Sequence, residues 1–224
     1  GVISITAKVI DNDEEKGIGA FIIETDNPGL RLGPKEKKMG WNASDTRQIF
    51  FEDLRVSDEQ RLGKQVDGFR TFLKALVGGR ISVGALSCGT AEGAYSAALN
   101  YSHEREAFGK PIHKFQSVGF KLADMATEIE ASKLLVYQAA KKYDEGHNVV
   151  KEAAMAKLFA SETAMKTTTE AIQVFGGYGY IKEYPAERFF RDAKVLTIGE
   201  GTSEIQKIII LREILKSLDN AISV

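Results

Sequence analysis

In the stretch LTIGEGTSEIQ, residues 196–206, a single carboxylate, Glu200, stands between Gly199 and Gly201 just before a helix start. Glycine costs conformational entropy and is used where the backbone turns unusually or must approach another group closely. An acid on such a hinge is either an exposed turn residue, favoured by the dipole of the following helix, or a base aimed into a pocket. A second cluster lies in HEREAFGKPIHKFQ, residues 103–116, where Arg105, Lys110 and Lys114 gather between two long helices. It reads as a solvated loop or as an anion clamp, with Arg105 the bidentate donor to a diphosphate. A third feature is GGYGY, residues 176–180. It follows a helix rather than a strand, so it is not a Rossmann phosphate loop. Gly176 is explained as the end of a helix, whereas Gly177 and Gly179 leave room for a turn whose bare backbone lies against a planar or phosphate-bearing ligand. His103, His113 and His147 have no partner at metal-ligand spacing and no cysteine cluster nearby, so no metal is expected.

The whole chain sets the frame for these groups. Its 224 residues suffice for one or two domains with a sizeable core. Apolar residues at 43% and charged residues at 27% belong to an ordinary globular protein. Thirty basic against 31 acidic residues leave a net charge of −1, which points to neither nucleic acid nor an anionic membrane. One cysteine, Cys88, rules out an internal disulfide framework, fits a reducing compartment and reads as buried packing. No unbroken run reaches the roughly 20 apolar residues of a membrane span. The chain opens in mid-strand with GVISITAKVI, without an initiator Met or a secretory signal.

Two textures must position the chemistry. Residues 1–60 form the first predicted domain, a partial β domain. VISITAKVI alternates at period two, and IGAFIIET and RQIFFEDLRV are β-branched and aromatic runs, separated by the turn signals DNDEEKG, DNPG and WNASD. Four short strands make an incomplete sandwich or barrel. Residues 61–224 form the second, a helical bundle. Phe115, Val118, Leu122, Met125, Ile129, Ser132, Val136 and Ala139 recur at spacings of three and four, a seam along about 45 Å of helix. The helix over 149–175 is expected to bury Met155, Leu158, Met165, Ile172 and Phe175. The one before the seam, over 67–103, is rich in Gly and Ala, which lets helices approach closely. A short helix after Pro185 and a last one from Ser203, with Ser203 and Gln206 as a capping box, complete a bundle of four main helices.

Taken in order, the strings FIIETDNPGLRLGPKEKKMG, FEDLRV, GGRISVGALSCGTAEGAYSAALNYSHEREAFGKPIHKFQ, KLADMA, KEAAMAKL, AIQVFGGYGYIKEYPAERFFRDAK and EGTSEIQ resemble the acyl-CoA dehydrogenase family, its short-chain, butyryl-CoA-type members most closely. The resemblance covers essentially the whole chain. It implies a mainly α fold: a C-terminal four-helix bundle preceded by the second half of the family's middle, antiparallel β domain. It also implies FAD as cofactor and the oxidation of an acyl-CoA thioester across its α and β carbons to the trans-2-enoyl-CoA. The glutamate of the EGT string falls on Glu200, which would take the α proton while the β hydrogen leaves as hydride. A thioester α C–H is a weak acid, so such a base must be positioned and desolvated, and the backbone N–H of the same residue would polarise the thioester carbonyl.

By the same resemblance Arg105 and Gln116 match contacts to the FAD diphosphate region. Gln173, Val174, Phe175, Gly176 and Gly177 match its adenosine end, and Thr202, Ser203 and Glu204 the segment after the base. Arg80 and Gly201 fall on the substrate side. Several of these positions reach the FAD of a neighbouring subunit in the family, so a homo-oligomer, tetramer or dimer, is implied. An electron-transfer flavoprotein as acceptor is implied too, with bacterial cytoplasm or mitochondrial matrix as compartment. Some relatives place the base one residue before the arginine matching Arg80; here that position is Gly79. The family's tyrosine before the base is replaced by Gly199, which implies either a wider acyl pocket or a less rigid base, and a common Asp three residues before the matching arginine is replaced by Val77. Since relatives carry a further N-terminal helical domain and the first half of the β domain, this chain by itself is expected to bind FAD poorly and to be inactive. The alternatives are a non-catalytic helical oligomerisation or binding module, and an acyl-CoA oxidase-type relative.

Overall fold

The alternation in VISITAKVI becomes β1 (Val2–Asp11), which turns back through Asn12 and Asp13 into β2 (Glu14–Glu24). Both turn residues take left-handed backbone, φ 51° and 63°, whose twist matches that of a tight hairpin. The two strands pair antiparallel from Val2↔Glu24 to Asp11↔Glu14, with a bulge between Val9 and Ile10. The DNPG signal closes as an Asx turn, the Gly29 N–H donating to Asn27 Oδ1 at 3.0 Å. It leads into β3 (Leu30–Lys35), paired antiparallel with β4 (Arg47–Phe51). β4 is shorter than the RQIFFEDLRV run because Asp53 adopts φ 47° and breaks the extended chain. β5 (Arg61–Leu62) adds to β2, giving a three-stranded sheet beside a two-stranded one. The computed structural model describes residues 1–63 and 66–222. They cluster into two units, Gly1–Lys38 with Asn42–Leu76, and Met39–Trp41 with the chain from Val77 onward.

Helices dominate the second unit. α1 (Gly68–Glu104, of which Gly68–Leu76 cluster with the first unit) is followed by a small hairpin, β6 (Glu106–Ala107) and β7 (Lys110–Pro111). Then come α2 (Gln116–Asp144), α3 (Val150–Phe175), the short α4 (Ala186–Lys194) and α5 (Ser203–Ile222). The seam holds from Leu122 onward: Leu122, Met125, Ile129, Ser132, Val136 and Ala139 are all buried, whereas Phe115 and Val118 are half-buried. They meet α1 through Ala91, Ala94 and Ala98 and α3 through Ala156, Ala160, Ala164 and Ala171. Close approach explains Gly93 of α1, where a Cβ would lie 2.9 Å from the Phe189 ring of α4. Residues 39–41 are pinned to α4, the Trp41 N–H donating to Asp192 Oδ1 at 2.6 Å and Arg191 Nη1 to the Met39 carbonyl at 2.7 Å.

Three expectations need correction. The buried face of α3 is not the Met155–Leu158–Met165–Ile172 face, whose residues are half-exposed; Phe175 alone of that set is buried. Instead Ala, Ser and Thr residues line it, together with Lys157. α3 packs against α2, α4 and α5 at once, and only small side chains fit at most of its crowded positions. The capping box does not form as drawn, because Thr202 caps α5 instead. Its Oγ1 accepts from the Ile205 N–H at 3.4 Å and its carbonyl from the Gln206 N–H at 3.0 Å, while the Ser203 hydroxyl donates to Glu162. Finally, α1 is long and apolar enough to cross a membrane, by length and composition only. Lys74 and Arg80 interrupt it, so it escapes a search for an unbroken apolar run.

Candidate active site

The hinge around Glu200 is built from the end of α4. The chain leaves that helix through a 3-10 turn, Val195–Thr197, with Leu196 and Thr197 buried. The N–H groups of Ile198 and Gly199 both donate to the Val195 carbonyl, at 3.0 and 2.8 Å. Glu200 then takes φ 56° and Gly201 φ 95°. Left-handed backbone costs a residue with a Cβ about 1–2 kcal/mol, so surrounding groups must hold it. Two fully buried side chains do so. Lys157 Nζ of α3 donates to the Gly201 carbonyl at 2.9 Å, and Gln206 Nε2 of α5 donates to the same oxygen at 2.9 Å and to the Glu200 carbonyl at 3.1 Å.

The Glu200 carboxylate faces α1 at Gly79. A Cβ on Gly79 would lie 2.6 Å from Glu200 Oε2 and 3.0 Å from its Cδ. The point from which a side chain at 79 would start is therefore the point that the Glu200 carboxylate reaches from another element. Two cations sit under this hinge. Arg80 is 7% exposed with its Nε unpartnered; burial lowers its pKa, with Glu200 opposing and Arg212 reinforcing the drop. Burial likewise lowers the Lys157 pKa, opposed by Glu162 and reinforced by Arg80. Glu162 takes a hydrogen bond from Ser203 Oγ at 2.5 Å, so the Ser203 hydroxyl is committed within the protein. Glu204 is exposed, its pKa lowered by its own backbone N–H and by the Thr202 hydroxyl. The Glu200 hinge thus combines a half-buried carboxylate, a strained backbone and buried positive charge.

Arg105, Val174, Phe175, Gly176 and Gly177 come together elsewhere, around a cavity of about 450 Å³ that Tyr101, Ile112, Tyr178 and Ile181 also line. Arg105 is exposed, has no ion-pair partner among the described residues, and stands over the Tyr178 ring at 5.8 Å. A Cβ on Gly176 or Gly177 would meet nothing within 4 Å, so their backbone is open to a ligand. An apolar wall, a free guanidinium and exposed glycine backbone suit a planar group joined to a phosphate. Gln116 opens α2 and Gln173 lies in the last turn of α3; both are exposed and neither lines the cavity. Arg80 and Tyr101 of α1 mark the two sites, and the helical rise puts them about 30 Å apart. The predicted residues therefore form two groups, one beside Gly79 and Arg80 within α1 and one at its C-terminal end, and Thr202, Ser203 and Glu204 belong with Glu200.

Residues 66–215 match the model of the acyl-CoA dehydrogenase C-terminal domain. The chain belongs to the acyl-CoA dehydrogenase family. It is 50% identical over 193 residues to the short-chain-specific acyl-CoA dehydrogenase of Megasphaera elsdenii, covering 86% of this chain and 50% of that protein. It is 46% identical over 212 residues to the caffeyl-CoA reductase–Etf complex subunit CarC of Acetobacterium woodii, covering 95% of this chain and 56% of the relative. Among solved structures, butyryl-CoA dehydrogenase from Megasphaera elsdenii superposes with a TM-score of 0.91 at 46% identity, over 96% of this chain and 56% of that one. The chain spans about half the length of these acyl-CoA dehydrogenase relatives.

Two residues of the hinge escaped the sequence reading. Lys157 carries a legible signal, a lone cation on a face otherwise made of Ala153, Ala154, Ala156, Ala160 and Ala164. In sequence Gln206 reads only as part of a cap, and nothing in its local pattern says that it turns back onto two carbonyls.

Proposed function

We propose that this chain supplies the base and part of the cofactor site of an FAD-dependent acyl-CoA dehydrogenase that forms trans-2-enoyl-CoA. The observation that carries the reading is the Glu200 carboxylate set on a left-handed hinge against Gly79, with buried Arg80 and Lys157 beneath it. Glu200 accepts the α proton of the thioester. Half-burial removes part of the water that would otherwise solvate its charge, and the rigid hinge fixes where the proton acceptor stands. The absent Cβ at Gly79 leaves the carboxylate its place.

FAD, when bound, supplies the acceptor for the β hydrogen and its electron pair. Arg105 would hold the diphosphate, and the open backbone at Gly176 and Gly177, with Val174 and Phe175, would hold the adenosine end. A gap of about 30 Å between that cavity and Glu200 favours a homo-oligomer in which each end serves a different site. An electron-transfer flavoprotein is the proposed acceptor, in keeping with the relative named as part of an Etf complex. The test is Glu200→Gln in the full-length, flavin-loaded protein. Anaerobic flavin bleaching by butyryl-CoA should slow by a factor on the order of 10²–10⁴. An undiminished rate would remove Glu200 from the chemistry.

A further inference from the structure

We propose that Lys157 is a positioning residue for Glu200, clamping the Gly201 carbonyl from within the bundle so that the hinge keeps its left-handed geometry. The inference rests on the assignment of Glu200 as base. Lys157 is fully buried, and among the described residues its Nζ donates only to the Gly201 carbonyl, at 2.9 Å. Core stability does not call for a cation there. Its neighbours on the buried face of α3 are Ala153, Ala154, Ala156, Ala160 and Ser161, and taking an ammonium out of water into such packing costs folding free energy that an apolar side chain would not.

The topology separates its role from that of Gln206. Gln206 lies on α5, directly after the hinge, so its bonds to the Glu200 and Gly201 carbonyls shape the turn without fixing it to anything distant. Lys157 lies on α3, 44 residues away in sequence, and ties the turn to the bundle. The carboxylate meanwhile faces Gly79 on α1. Releasing the α3 tie frees the hinge to relax toward ordinary backbone, and the carboxylate then swings from its place at Gly79. Glu162, bonded by Ser203 Oγ, supplies negative charge that offsets the buried ammonium.

The experiment compares Lys157→Met, Lys157→Gln and Glu200→Gln in the full-length flavin-loaded protein, with butyryl-CoA as substrate. Lys157→Met keeps the volume and loses the donor. Its kcat should fall on the order of 100-fold, the scale of a small misplacement of a reacting group, with KM, flavin content and Tm preserved. Lys157→Gln retains an N–H donor and should recover part of kcat. A native kcat in Lys157→Met overturns the proposal. So does an equal loss in both variants accompanied by lost flavin and a lowered Tm, which is a packing role. The Glu200→Gln arm keeps the two ideas apart: activity there sinks the base assignment, whereas an inactive Glu200→Gln beside a native Lys157→Met sinks only the clamp.

Discussion

Gly79→Ala should raise stability and lower activity at once. Gly79 is interior to α1, where Ala is favoured over Gly by about 1 kcal/mol; in a domain of this size that corresponds to a Tm increase of roughly 2–4 °C. The added methyl would stand 2.6 Å from Glu200 Oε2, whereas ordinary contact begins at 3.4 Å. The carboxylate is the far end of a flexible side chain, so it can retreat at little cost to the fold, but it must move by about 0.8 Å or more. Displacement on that scale at the reacting centre costs on the order of 100-fold in turnover. The assay pairs thermal unfolding of the full-length protein with acyl-CoA-dependent reduction of an artificial dye. A variant with native turnover would refute the placement of the carboxylate over Gly79. One that lost activity together with several degrees of Tm would show that the methyl strikes backbone instead.

The other substitutions probe the same region and its support. Gly201→Ala meets both a φ of 95° and a Cβ 2.8 Å from Gln206 Nε2, so it should destabilise by about 1–3 kcal/mol; an unchanged Tm would contradict the hinge geometry. At Gly199 an added Cβ would meet only the Val195 carbonyl, at 3.4 Å, so the backbone accepts a side chain there; Gly199→Tyr, by filling space beside Glu200, should lower kcat/KM for a branched acyl-CoA more than for butyryl-CoA, and an unchanged ratio would place Gly199 outside the acyl pocket. Glu187 accepts from Arg191 at 2.5 and 3.0 Å, and that bond holds its pKa below the ordinary 4.5. Its stabilisation is therefore complete above 4.5 and lost as pH falls through the lowered value; Glu187→Gln should cost up to about 1 kcal/mol at neutral pH, and its Tm deficit should disappear in acid.

The sequence was legible where side-chain size and burial agree. On α2 the three-and-four spacing names the buried residues from Leu122 to Ala139 because there periodicity and burial coincide along the stripe that meets α1 and α3. On α3 the same rule selects Met155, Leu158, Met165 and Ile172, and fails. That helix is surrounded, and at most of its crowded positions only small side chains fit, so Ala and Thr go inside while Met stays half-exposed. The unusual backbone at Glu200 was legible from its flanking glycines. That Gly79 would receive its carboxylate was not, since the two are brought together by tertiary packing across more than a hundred residues. The separation of Arg105 from Glu200 was available in principle, because the uninterrupted α1 between Arg80 and Tyr101 already sets a distance.

The substitutions around the hinge share a pattern that bears on whether it is a working site. Gly79→Ala adds helix propensity, Lys157→Met removes a buried charge, and Glu200→Gly would relieve a left-handed residue worth about 1–2 kcal/mol. Each improves a local term of the folding free energy, and each is expected to cost turnover. A sequence shaped for stability alone would carry the alternatives, since none requires the fold to change. Locally unfavourable choices that converge on one carboxylate, from α1, α3 and the turn before α5, are what a functional constraint produces. A merely structural turn would show the opposite correlation, with activity falling only as stability fell. Plotting Tm against kcat for these three variants therefore tests the site as a whole: points that lie along a common rising line would assign the hinge to folding rather than to chemistry.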